Sequence, residues 1–456
     1  MKLRLIGEAL SERPEGHDCT IYGRVVAVRR HKARTFFDIS DHTGKVQIVY
    51  ECNDRGRDIC EGSYVSVDGT LEYRMGKPEM ISKNVNVIAR ATLPLNPHPW
   101  DVSIRDPRHG NQIFDYPGFY VANPERSSVL KIKANFTDAL HCYMRRNNFT
   151  FVEPPIITDK TLYDESTAVR ANVHGENVFL TQCATFELEP LAMAFGKVYT
   201  ISPAFRNEKA GSKRHLAEYT HAKAEMLLAN MDDLMEFAGD LIYTSIGETL
   251  ESSGKELDTL EVSVDHGRLD PKKYAVMTYD EAVKFLRSNG SDIEYGRGLS
   301  RRDEEMITRH CGDNYVWVQF LPFASEGFPY SRKKGERHLS MTADLIAPHG
   351  AGEMVGVAEK TTSADELVEN LIEKGKKDNL RDYWQYILLR NYGLPPHGGI
   401  GAAPERILYG LLGLDHIRLT KPWPRYPDRK IHQNEMELNP WNDPEVQRII
   451  DKFDIK

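Results

Sequence analysis

The sequence predicts an α+β chain in which a small β barrel precedes an antiparallel sheet with helices. Three observations carry this expectation. Short strand-like runs punctuated by turns occupy positions 20–88. Prolines then crowd the stretch that follows, and from Ser127 the apolar period changes from that of a strand to that of a helix.

In the first part, Thr20–Arg29 alternates loosely, Thr35–Ile39 follows a basic turn, and Asp41-His-Thr-Gly44 turns the chain into the cleanly alternating Lys45–Tyr50. Ser63–Gly69 and Val85–Ile88 continue the series. Several short strands at this spacing suggest a barrel of the oligonucleotide-binding kind. Pro94, Pro97, Pro99, Pro107, Pro117 and Pro124 make the next stretch too proline-rich for a helix or a central strand, so it reads as a linker or hinge. Beyond it, Ser127 or Ser128 can cap a helix whose face carries Val129, Ile132, Phe136, Leu140 and Tyr143. Phe149–Pro155 is a strand entering a proline-limited turn; strand-like runs at Asn177–Thr181 and Lys197–Ile201 then mix with helices at Met231–Ser253, Tyr279–Ser288 and Ala364–Lys374. The expected organisation is therefore a barrel over 1–92, a linker over 93–126 and an α+β domain over 127–456.

Composition narrows the function. The 456 residues include 59 basic and 67 acidic ones, a net charge of −8, which excludes a highly basic chromatin protein but leaves room for a local basic face on nucleic acid. With 40% hydrophobic and 28% charged residues the chain is an ordinary globular one with ample core. No apolar run reaches the roughly 20 residues of a membrane helix, and the opening MKLRLIGEALSERPEGHD lacks the features of a secretory leader, so a cytoplasmic protein is expected. The six cysteines are scattered without a C-x-x-C pair, which argues against a disulfide frame or a zinc site.

Two clusters carry chemistry. In Pro203–Tyr219, Arg206, Glu208, Arg214 and His215 bracket a Gly/Ser turn, placing cations and an acceptor at the ends of two hairpin strands. A guanidinium can hold phosphate oxygens bidentately and a carboxylate can accept from an exocyclic amine; a merely solvated charged hairpin is the other reading. In Pro396–Arg406, glycines including Gly401 run into the apolar stretch Ile407–Leu414, so the backbone can approach a ligand while Arg406 stands at a helix start, facing phosphate.

These two segments resemble motifs two and three of the class II aminoacyl-tRNA synthetases, and Phe149–Pro155 with its preceding helix resembles motif one. Gly23-Arg-Val, Phe36–Asp41 and Gly44–Gln47 are similar to the anticodon-binding barrel of the aspartyl, asparaginyl and lysyl subgroup. Leu180-Thr-Gln182, Ala192–Tyr199, Arg214–Glu218, Asp382-Tyr-Trp and Tyr392–His397 favour its asparaginyl/aspartyl branch, and the resemblance runs from about residue 20 to Arg425. It implies an AMP-forming ligase that activates an amino acid with ATP and Mg²⁺ and passes it to tRNA. Arg206 would grip the α-phosphate and the substrate carboxylate, Glu208 the adenine amine, and Tyr219 would stack the purine. Arg214, His215 and Arg406 would hold the outer phosphates, and Glu353 the magnesium. Glu165 would sit on a mobile loop over the substrate and Pro155 at the interface of a homodimer. On the barrel, Phe36 would stack on an anticodon base and Gln47 read a base edge; Phe36 as core and Gln47 as plain strand surface are the alternatives.

The amino-acid pocket departs from the family pattern. Thr185 stands where a second glutamine follows Gln182, and Lys223 where an acid is usual four residues after Tyr219. Ala358 replaces a metal-binding hydroxyl and Lys360 the arginine that reads the side chain. Should Lys223 enter the pocket, it would repel an α-ammonium about 4 Å away by roughly 4 kcal/mol at an effective dielectric near 20, unless Glu225 or Glu187 compensates. Three functions therefore stay open: an asparaginyl-type synthetase, a paralogue that adenylates a different carboxylic acid and passes it to a non-tRNA amine, and a non-catalytic tRNA-binding homologue.

Overall fold

The computed structural model describes residues 5–12, 16–31, 34–51, 59–92, 99–109, 112–207, 212–426 and 444–453, which fall into two compact units, one of residues 1–109 with 433–456 and one of residues 110–432. Glu208 and the Pro94–Pro97 segment lie outside the described residues.

In the N-terminal unit β1 (His17–Arg30), β2 (Arg34–Ser40), β3 (Lys45–Glu51), β4 (Tyr64–Arg74) and β5 (Lys77–Ala89) close a barrel in the order β1-β2-β3-β5-β4. Period-two alternation explains what fills it: Phe37, Ile39, Val46, Ile48, Val65 and Val67 point inward and are almost fully buried. The intervening Phe36 and Gln47 therefore face outward. Gln47 accepts from Arg29 at 2.7 Å and donates to Glu79 at 2.9 Å, while Phe36 makes an edge contact with His31. The core phenylalanine of this strand is Phe37, not Phe36.

The C-terminal unit is built on an eight-stranded sheet. Its strands are β6 (Thr150–Phe151), β10 (Lys197–Phe205), β11 (Glu218–Leu227), β12 (Ala275–Thr278), β13 (Val316–Gln319), β14 (Thr342–Ala347), β15 (Gly352–Lys360) and β16 (His397–Ala402). They lie in the order β12-β13-β14-β15-β16-β11-β10-β6, and β7 (Ile157–Thr158), β8 (Val169–Val173) and β9 (Glu176–Leu180) form a separate small sheet. The large sheet is antiparallel through its middle and parallel at both edges, β12 with β13 and β6 with β10. Parallel neighbours need a crossover; helices Tyr279–Ser288 and Arg301–His310 supply it between β12 and β13.

One boundary differs from expectation. The long helix after the proline-rich stretch begins at Pro124, with Asn123 as its cap accepting from the Arg126 amide, rather than at Ser127 or Ser128. Proline lacks only an N–H that the first turn would leave unpaired, so it opens a helix as well as it breaks one. Pro117 does the same for a short helix, Pro117–Tyr120, inside the segment expected to be linker.

Candidate active site

The central strands set out the site as rungs. Residues opposite one another in antiparallel strands point to the same face, and one rung reads Thr200, Lys223, Gly401, Gly356, Asp344 across β10, β11, β16, β15 and β14. Lys223 and Asp344 thus stand three strand spacings apart, about 14 Å, with two glycines between them. The floor is bare by necessity. A Cβ on Gly401 would meet His221 Nε2 at 3.0 Å, and one on Gly356 would meet Asp344 Oδ1 at 3.0 Å and Glu353 Oε1 at 3.5 Å. Above this floor is a cavity of about 310 Å³ lined by Arg206, Arg214, His215, Tyr219, Lys223, Glu353, Lys360, Gly401 and Arg406 among the expected residues.

Arg206 follows β10, and its guanidinium lies between two aromatic faces, 5.0 Å from the Tyr163 ring and 5.9 Å from that of Tyr219. Arg214 is buried against Glu304 at 2.6 Å. Arg406 leaves the first turn of helix Pro404–Leu411, donates to the Glu353 and Arg214 carbonyls, and stands 3.8 Å from the Glu353 carboxylate. Its neighbour Glu405 is buried; it accepts from the Thr220 amide, Lys133 and Lys421, which pins this helix to β11. Three guanidinium groups thus share one cavity with a tyrosine ring, a set suited to a polyphosphate carried on a flat base.

Acids crowd the Asp344 end. Burial, and then the charge of Glu353, raise the Asp344 carboxyl well above its ordinary range; burial and Glu353 likewise push Glu326 up to about 7. Among the described residues no three donors form a ready metal cage. The donor set nevertheless fits Mg²⁺, which takes one or two carboxylates and completes its shell with phosphate and water, and the space left by Gly356 cradles two carboxylates. Glu353 and Asp344 would hold the ion, which when bound would neutralise phosphate charge. Because folded Glu326 holds its proton to about pH 7 while the unfolded chain releases it near 4.5, stability falls as pH rises through that window. Without magnesium, the thermal midpoint should fall over this window in the wild type and fall less in Glu326→Gln; equal slopes would refute the assignment of the proton to Glu326.

Residues 111–427 match the family described as tRNA synthetases class II (D, K and N), and residues 19–88 the OB-fold nucleic acid binding domain. The chain belongs to the class II tRNA synthetases. It is similar to the asparagine–tRNA ligase of Pyrococcus abyssi, 28% identical over 91% of this chain and 96% of that one. The corresponding ligase of Koribacter versatilis is 28% identical over 90% and 95%. Among solved structures, the asparaginyl-tRNA synthetase of Pyrococcus horikoshii complexed with asparaginyl-adenylate superposes with a TM-score of 0.87 at 26% identity, covering 94% of this chain and 99% of that one. The Entamoeba histolytica asparaginyl-tRNA synthetase gives 0.82 at 25%, over 94% and 99%.

The synthetase holds its remaining expected residues less directly. Glu165 pairs with Arg170 at 2.7 Å on a short turn and does not line the cavity. Gln182 accepts from the Tyr163 amide and donates to Thr167, bracing the segment that carries Tyr163. Glu225 is fully buried beside Gly399 and pairs with Lys360 at 2.6 Å, so it does not compensate Lys223. Lys223, 5% exposed, instead donates to Thr185 Oγ1 at 2.9 Å and Cys183 Sγ at 2.7 Å. Reading motifs alone missed Tyr163, His221, Glu304 and Glu326 as lining or supporting groups. His221 carried a usable signal, since it alternates with Tyr219 and Lys223 on β11; Glu304 and Glu326 come from distant segments and carried none.

Proposed function

We propose that this synthetase activates an amino acid of the asparagine–aspartate kind as its adenylate, using ATP and Mg²⁺, and transfers it to tRNA in the cytoplasm. The observation that supports this best is the convergence of Arg206, Arg214 and Arg406 with Tyr219, Glu353 and Asp344 on one cavity. Arg206 binds the reacting carboxylate and the innermost phosphate together, which brings nucleophile and phosphorus into line and offsets the negative charge that builds there. Tyr219 supports the adenine face, and Arg214, His215 and Arg406 keep the outer phosphates bent back as leaving group. No protein nucleophile is required. On the barrel, Phe36 and Gln47 offer a stacking face and an amide to unpaired bases. Exposed Phe151, Ile156 and Ile157 around exposed Pro155 favour a homodimer packed on that face.

ATP–pyrophosphate exchange tests the reading. Exchange should require Mg²⁺ and an acid of this kind, and tRNA should then become charged. Absence of exchange across a panel of acids would overturn it in favour of a non-catalytic homologue; exchange without charging would point to a non-tRNA amine.

A further inference from the structure

We infer that Lys223 selects the acid to be activated, its buried ammonium binding a carboxylate at the far end of that acid, so that the substrate is a dicarboxylic amino acid rather than a carboxamide. This rests on the adenylation reading above and deepens it. Lys223 is 5% exposed yet lines the cavity, and no carboxylate of the described residues lies within ion-pair distance of it. Glu225, the acid two residues on, is taken by Lys360. Of the three protons on Nζ, Thr185 Oγ1 and Cys183 Sγ accept two, and both acceptors are buried. A buried cation whose direct partners are a hydroxyl and a cysteine sulfur, with the Glu187 carboxylate acting on it only from beyond ion-pair distance, is incomplete; an anion from the ligand would complete it.

The surroundings favour an anion over a neutral acceptor. His221 lies on the same face of β11 between Tyr219 and Lys223, and burial followed by the charges of Lys223 and Arg206 keeps its imidazole neutral to well below the usual range. Arg206, His221 and Lys223 all line the cavity, so two positive groups face the same space. An acid with a carboxylate at each end would offer a countercharge to both cations. Its α-ammonium is repelled by Lys223 and must turn away, so one orientation is left, with the reacting carboxylate on Arg206 and the other on Lys223. A carboxamide would leave the lysine without a countercharge.

Exchange measured with aspartate, glutamate, asparagine and glutamine separates the possibilities. The wild type should prefer a dicarboxylic acid over its carboxamide by about a hundredfold or more in kcat/KM, the range expected for a desolvated charge pair. Lys223→Gln should cut that ratio by a similar factor, through KM more than kcat, while Lys223→Arg should keep much of it. Ligand-induced stabilisation of the wild type provides a second readout independent of turnover: the dicarboxylic acid should raise the thermal midpoint and the carboxamide should not. Asparagine equal to or better than aspartate, or an unchanged ratio in a folded, ATP-stabilised Lys223→Gln, would overturn the assignment and leave adenylation standing. No exchange with any acid would instead remove the adenylation reading on which it rests.

Discussion

Replacing Arg206 by alanine should lower ATP–pyrophosphate exchange by about a thousandfold or more, the cost seen when a charge-stabilising group is taken from a transition state, with little loss of fold. The position of the group makes the difference. The Arg206 amide donates to the Ala217 carbonyl at 2.9 Å, which closes the β10–β11 pair and fixes where the side chain starts. Its guanidinium then lies between the Tyr163 and Tyr219 rings, which hold the plane but cannot satisfy the fork. Alanine keeps the amide bond and loses the fork. Lysine keeps the charge but not the planar, two-pronged geometry, so Arg206→Lys should recover only part of the rate. The stability change should stay near the 1 kcal/mol of a partly exposed cation–aromatic contact. Exchange by Arg206→Ala within tenfold of wild type, in a protein with unchanged thermal midpoint, would refute the role given to this residue.

The sequence made the barrel legible because its strands bury alternate residues: along β4, Val65, Val67 and Leu71 are buried while Tyr64, Ser66 and Asp68 are half-buried. The helix start at Pro124 was misjudged because proline stops a helix in its middle and opens one at its first turn, and only the Asn123 cap distinguishes the two. The arginines of the site were legible from local clusters, but their partners were not. Arg214 meets Glu304 and Arg406 meets Glu353 across several intervening strands and helices, and no period or spacing announces such a pairing. Lys223 is intermediate. Its departure from the family pattern was visible, but its direction was left open although strand alternation from Tyr219 carries positions 221 and 223 on to one face; its lack of a carboxylate partner was not legible, because that depends on Glu225 being claimed by Lys360 from another strand.

Removing the carboxylate of Glu189 should destabilise the C-terminal unit by about 3–5 kcal/mol, the usual cost of breaking a buried ion pair from one side. Glu189 is fully buried on helix Thr185–Phe195 and gathers Arg390 at 2.7 Å, Lys360 at 3.2 Å and His397 at 3.4 Å, with the Tyr386 hydroxyl donating to it. Burial alone would raise its carboxyl; Arg390 and then Lys360 outweigh burial and hold it well below the ordinary value. A depressed carboxyl contributes stability that is present above the unfolded value near 4.5 and lost as pH falls through the folded one. Glu189→Ala should therefore lose stability at neutral pH, and the difference from wild type should shrink on strong acidification. The cause is the cations left behind: among the described residues Arg390 would keep the Tyr386 and Thr361 carbonyls as acceptors, with no carboxylate beside it. Glu189→Met combined with Arg390→Met should accordingly recover most of the loss, because an apolar pair of similar volume needs no countercharge. The same cluster holds Lys360, whose other partner is Glu225, so the single variant should also weaken amino-acid binding more than ATP binding. Denaturant unfolding of the single and double variants decides it: a cost under 1 kcal/mol for Glu189→Ala, or a double variant no better than the single one, would show that the ion cluster does not hold this wall of the pocket.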